Sequence, residues 1–157
     1  MTARTGVSRR RPLALVGLCA ALVATLGACG SSVDATPPVH AASPACAKAA
    51  QHWPRTVADQ DRRDTTSSSA AVAAWGDPAI IARCGLSPIG PTTDPCIDAN
   101  GVGWVAHRLS DGVRFISFGR DPAIEVLVPH AYAPEPLVMS AFAKAARAIP
   151  ATGRHCT

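Results

Sequence analysis

The chain of 157 residues is poor in aromatic side chains, with three Trp, three Phe and one Tyr. Much of its apolar content is Ala and Val, so its core must be fine-grained, and a small domain of that kind gains from covalent staples. Signatures of chemistry are also missing. No Gly-x-Ser-x-Gly elbow supplies a hydrolase serine. Gly101-Val102-Gly103 lacks the third glycine and the following helix of a nucleotide fingerprint. No two histidines are spaced i, i+4 and no two cysteines are spaced C-x-x-C, which argues against a zinc centre or a redox motif. His40, His52, His107 and His130 stand alone, and His155 adjoins Cys156. The reading is no metal, no cofactor, no catalytic residue and no enzyme. No apolar run reaches the ~20 residues of a bilayer span.

One short apolar run is nevertheless present, from Leu13 to Leu26, after Arg4, Arg9, Arg10 and Arg11. A basic start, a short apolar core and small residues beyond it describe a secretory signal. It closes on Leu26-Gly27-Ala28-Cys29, which resembles the lipobox of bacterial lipoproteins. That resemblance implies diacylglycerol on the Cys29 thiol and cleavage after Ala28. Two acyl chains anchor stably where one does not. Ser8 to Leu13 holds twin arginines in a roughly Tat-like setting, so Sec and Tat export both remain open. The expected address is the outer face of the cytoplasmic membrane.

Removal of residues 1–28 takes four arginines and no acid, leaving 11 Lys+Arg against 11 Asp+Glu. The basicity of the whole chain belongs to the targeting segment, so nucleic acid is not an expected partner. Of six cysteines, Cys19 leaves with the signal and Cys29 carries lipid. The remaining four, Cys46, Cys84, Cys96 and Cys156, suggest two disulfides in an exported chain. Cys46–Cys84 with Cys96–Cys156 is favoured, each closing a loop worth about 4 kcal/mol. Cys84–Cys96 with Cys46–Cys156 competes.

Residues 29–44 are Ser-, Ala-, Pro- and Thr-rich and read as the lipidated cysteine and a flexible tether, with a single domain over 45–157. Ser43-Pro44 predicts a helix start, and the helix runs to about Trp53. Asp59 to Ser69 reads as an exposed loop. Strands are expected over Ala79–Cys84, Cys96–Val105 and beyond, Val113–Phe118 and Ala123–Val128. Asn100-Gly101 is either a hairpin turn or a bulge in one long strand. Val138, Ala141, Phe142, Ala145 and Ile149 mark a helix over Leu137–Ile149. The expected fold is α+β: a short N-terminal helix, a four-stranded antiparallel meander, a C-terminal helix packed on one face, and two disulfides.

Asp77, Asp98, Asp111 and Asp121 sit at turns, where Asx chemistry explains them. Arg83, Arg114 and Arg120 lie on or beside strands and read as solvated sheet-face residues more readily than as an anion site. Trp75, Trp104 and Arg120 mark the expected binding face, with core or rim packing the other reading of the two tryptophans in an aromatic-poor domain. Several blocks together are similar to the actinobacterial lipoproteins grouped as domain of unknown function 3515. They are the Cys46 helix, Ala73 to Gly85 with its Trp-Gly-Asp-Pro, Gly101 to Trp104, Phe118 to Val126 and Arg154-His155-Cys156. That resemblance implies a membrane-associated envelope protein and supplies no functional residue. The expected role is a non-catalytic binding or accessory module for an envelope protein or small ligand. A cell-wall-associated hydrolase, or a structural subunit of a membrane complex, is the alternative.

Overall fold

The computed structural model describes residues 1–2 and 31–156. The signal segment and Cys29 lie outside the described residues. After helix α1 (Pro44–Ala50) come eight strands: β1 (Thr56–Val57), β2 (Gln60–Arg63), β3 (Val72–Trp75), β4 (Ile80–Leu86), β5 (Cys96–Ala99), β6 (Val102–Arg108), β7 (Gly112–Phe118) and β8 (Ala123–Pro129). They form one antiparallel sheet in the order β1-β2-β3-β4-β8-β7-β6-β5. The four-stranded meander is therefore wrong. It omits β1, β2 and β3 and counts the β5–β6 hairpin as one strand. The expected loop over Asp59–Ser69 contains β2, whose side chains are polar on both faces, so no apolar alternation betrays it.

The sheet is two consecutive meanders, β1–β4 and β5–β8, joined where β4 pairs with β8. The halves echo each other in detail. Each opens with a two-residue hairpin turn of positive φ, Ala58-Asp59 (48° and 59°) and Asn100-Gly101 (54° and 75°), the backbone that matches strand twist. Each last strand is entered through the same turn chemistry. Trp75-Gly76-Asp77-Pro78-Ala79-Ile80 precedes β4, and Phe118-Gly119-Arg120-Asp121-Pro122-Ala123-Ile124 leads into β8. Both glycines have φ near +70° and both Asp-Pro bonds are cis. The second turn carries one extra residue, Arg120. With side chains alternating along a strand, that insertion reverses the aromatic's face. Trp75 is buried in the core, whereas Phe118 lies on the opposite face, across from Gly103.

The inner face carries the core. Ala73, Trp75, Ile80, Ala82, Cys84, Trp104, Phe115, Ile124, Val126 and Val128 are buried against α1 and the C-terminal segment. Ser43 caps α1 by accepting from the Cys46 N–H at 3.2 Å, and the Cys46–Cys84 disulfide, with Cα atoms 5.5 Å apart, fastens the helix to β4. Phe142 makes edge contacts with Trp53 and Trp75 at 6.3 and 5.4 Å between ring centroids. The Trp75 indole donates to the Pro54 carbonyl at 3.1 Å. The expected helix over Leu137–Ile149 is instead a 3-10 helix (Glu135–Phe142) followed by a short α2 (Ala143–Arg147). Buried Met139, Phe142 and Ala145 recur every three residues, which suits the three-residue turn of a 3-10 helix.

The outer face is partly covered by the residues that lead into α1. These were expected to form a tether, yet they pack on the domain. Val33 forms a parallel bridge with Thr65, its N–H donating to the Asp64 carbonyl at 2.8 Å, and Thr66 N–H donates back to Val33 at 2.9 Å. Ala35 is buried, and His40 N–H donates to the Gly85 carbonyl at 3.0 Å. Gly85, at φ +120°, admits this close approach, because a Cβ there would meet the backbone of His40 and Ala41. Arg83 on β4 pins the segment. Its guanidinium pairs with the Glu125 carboxylate on β8 and donates to the Thr36 carbonyl at 3.2 Å.

Glu125 is 3 % exposed, so Arg83→Met leaves a buried carboxylate without its cation. The expected loss is about 3 kcal/mol in urea unfolding. The double variant R83M/E125L, which removes both charges, should lose less than R83M alone. Glu135 gives a pH-dependent counterpart. Its carboxyl is held below the usual range chiefly by the hydrogen bond with His130 Nδ1, at 2.6 Å. A depressed carboxyl contributes stability above its unfolded value, about pH 4, and that contribution disappears as pH falls through the depressed value. Thermal melts should therefore show wild type above E135Q near neutrality, with the gap closing in acid.

Candidate functional site

The two tryptophans chosen from the sequence do not make a binding face. Trp75 and Trp104 are both fully buried. They sit on β3 and β6, with β4, β8 and β7 between them. In a chain with only seven aromatic residues to draw on, these large rings fill the interior. The Trp104 indole N–H is buried with no hydrogen-bond partner among the described residues. Arg120 is structural as well. Its guanidinium donates to the Ile149 carbonyl at 2.9 Å, and its backbone bridges Ala151. Burial, then the nearby Arg147, lowers its pKa. It holds the end of α2 and the tail that follows.

That tail helps to build a different site. Residues 150–156 cross the outer face over β6 and β7, and Cys156 is bonded to Cys96 on β5, with Cα atoms 5.6 Å apart. Glycines make room for the crossing. A Cβ on Gly103 would lie 2.7 Å from the Cys156 Sγ, and one on Gly119 would overlap the Arg154 carbonyl. Thr152 N–H donates to the Gly119 carbonyl at 2.9 Å. Between the tail and the β4–β5 connection lies a cleft of about 560 Å³. Val105 and Phe118 give it an apolar floor, to which Pro91 and Pro95 add. Asp94, Arg154 and His155 supply charge and hydrogen-bonding capacity.

Asp94 is itself positioned. Thr92 Oγ1 donates to its carboxylate at 2.9 Å and accepts from its backbone N–H at 3.1 Å. His107 Nδ1, from β6, lies 3.3 Å from the same carboxylate oxygen. Asp94, His107 and Phe118 were not singled out in the sequence as a site. The available signal was the turn before β8, one residue longer than its counterpart, which sends Phe118 to the cleft side. Among the described residues no group of three or more His, Cys, Asp or Glu could hold a metal ion. No described helix is long and apolar enough to cross a membrane.

The architecture is a disulfide-stapled antiparallel β-sheet domain with helices on one face and a small-molecule-sized cleft on the other. The chain belongs to the family of proteins of unknown function DUF3515, which matches residues 12–152. No curated protein and no solved structure matches it.

Gly119 offers a direct test of how the cleft wall is held. Gly119→Ala combines a positive φ with an overlap against Arg154, and overpacking of this kind costs about 1–3 kcal/mol. The expected readout is a lower melting temperature, with faster amide exchange confined to residues 150–156 and their partners.

Proposed function

We propose that the protein is an actinobacterial envelope lipoprotein, exported and held by diacylglycerol on Cys29 at the outer face of the cytoplasmic membrane. It acts as a non-catalytic binding or accessory module through the cleft beside Cys96–Cys156. The cleft carries this reading. Four separate segments build it, a disulfide fastens it, and it joins an apolar floor to charges of both signs. Such a lining suits a small amphipathic zwitterion, such as a short peptide, with its ammonium near Asp94 and its carboxylate near Arg154. The family match spans the apolar run and the Leu26-to-Cys29 box, which supports treating that segment as part of the protein's common design.

A second reading, a cell-wall-associated hydrolase, draws on the Asp94–His107 pair, since a carboxylate on Nδ1 orients Nε2 to act as a base. Calorimetric titration of the purified domain with short zwitterionic peptides separates the two. Binding should weaken about tenfold in D94N and in R154Q, as for loss of one charge-assisted hydrogen bond. Affinity unchanged in both variants overturns the cleft assignment. Robust turnover of wall peptides that dies with H107A moves the protein to the hydrolase class.

A further inference from the structure

Of the two disulfides, one is sealed and one is open. Cys46 and Cys84 are both fully buried between α1 and β4. Cys96 and Cys156 are only half-buried, and both line the cleft. Exchange requires a thiolate to reach a disulfide sulfur, so the second bridge alone offers itself to a thiol that enters the folded domain. The tail is held so that it comes away when this bridge opens. Its last backbone grip on the sheet is Thr152 N–H donating to the Gly119 carbonyl, next to the bridge between Arg120 and Ala151. Beyond that grip Gly153 has φ +79° and open space where a Cβ would lie. Arg154 reaches the Ile89 carbonyl only at 3.5 Å. Residues 153–156 therefore depend on the disulfide for their place, whereas α2 is held by its own buried face and by Arg120 on the Ile149 carbonyl.

Charges of opposite sign flank the bridge. Cys96 pairs with Val105 across β5 and β6. The same register carried two residues back sets Asp94 beside His107, in keeping with their 3.3 Å contact. Side chains two apart along an extended chain share a face about 7 Å apart, so the Asp94 carboxylate borders Cys96. Arg154 stands two residues from Cys156, and a neighbouring cation favours a thiolate. We propose that Cys96–Cys156 is an exchange site for a small thiol that carries an ammonium group. The ammonium sits at Asp94 and the thiolate attacks the Cys96 Sγ. The Cys156 sulfur leaves as a thiolate beside Arg154 and takes up the proton that the attacking thiol lost. A second thiol attacks the small-thiol sulfur of the mixed disulfide and releases Cys96. Two thiols are thereby oxidised to one small disulfide, and the protein bridge is reduced to two thiols. Residues 153–156 then leave the cleft wall and take Arg154 and His155 with them. The exchange shares the cleft with the reading above and does not need its peptide ligand.

The test treats the full-length folded protein with cysteamine and follows the four cysteines by timed alkylation and mass spectrometry. Cys96 and Cys156 should become alkylated at least about tenfold faster than Cys46 and Cys84, whose exposure requires local unfolding. In the protein reduced at Cys96–Cys156 alone, amide exchange should rise over residues 153–156 and stay unchanged in α1 and β4. D94N should slow cysteamine about threefold, as for unit charges about 7 Å apart in water, and leave the rate with neutral mercaptoethanol unchanged. Equal reduction of the two bridges, or earlier reduction of Cys46–Cys84, overturns the exchange site. Selective reduction without faster amide exchange over 153–156 overturns the release of the tail. An equal effect of D94N on the two thiols overturns the preference for an ammonium.

Discussion

The pairing of β4 with β8 is the constraint on which the molecule depends. It joins two meanders that would otherwise be separate four-stranded sheets, each with an exposed apolar edge. The same two strands carry the ion pair that pins the segment before α1 and the cysteine that holds the helix. A sheet with one side apolar must bury that side. Here α1, the 3-10 helix and α2 cover the inner face, and the two ends of the domain cover parts of the outer face. The cleft is what the outer covering leaves open.

The repeated turn shows how a near-symmetric scaffold acquires an asymmetric site. Gly76 and Gly119 occupy the same backbone region, and Asp-Pro-Ala-Ile follows in both halves. One added residue, Arg120, changes which face the preceding aromatic takes. The first half thereby gains a core tryptophan and the second gains a phenylalanine at the floor of a cleft. Arg120 then serves the same side of the molecule by gripping the Ile149 carbonyl, which sets the tail on its course.

Parts of this were legible in the sequence, and the reasons for the rest are physical. Ser43-Pro44 announced α1 because a cap and a proline act locally. The strand over Ala123–Val128 was visible because Ile124, Val126 and Val128 alternate against one covered face. β2 was hidden because Arg62 and Arg63 point charges to both sides, one of them onto Trp75. β1 is two residues long, and β3, with Val72 to Trp75 buried throughout, carries no alternation. The segment from Val33 to Ser43 reads as a linker by composition, yet its backbone groups find partners on Asp64, Thr66 and Gly85, and backbone hydrogen bonding is indifferent to side-chain polarity. Trp75 and Trp104 suit a binding face or core packing equally by residue type, and the structure puts both inside because a fine-grained core needs its few large rings there.

The two disulfides also differ in when the growing chain can make them. Cys46–Cys84 ties α1 to the last strand of the first meander, and Cys96–Cys156 ties the tail to the first strand of the second. A chain delivered N-terminus first therefore completes its first covalent loop while β4 still has one unpaired edge. That edge waits until residue 123 arrives, and the loop holds α1 over one face of the strand in the meantime. The staple that adds stability to the finished domain thus also fixes α1 against β4 before the second meander exists.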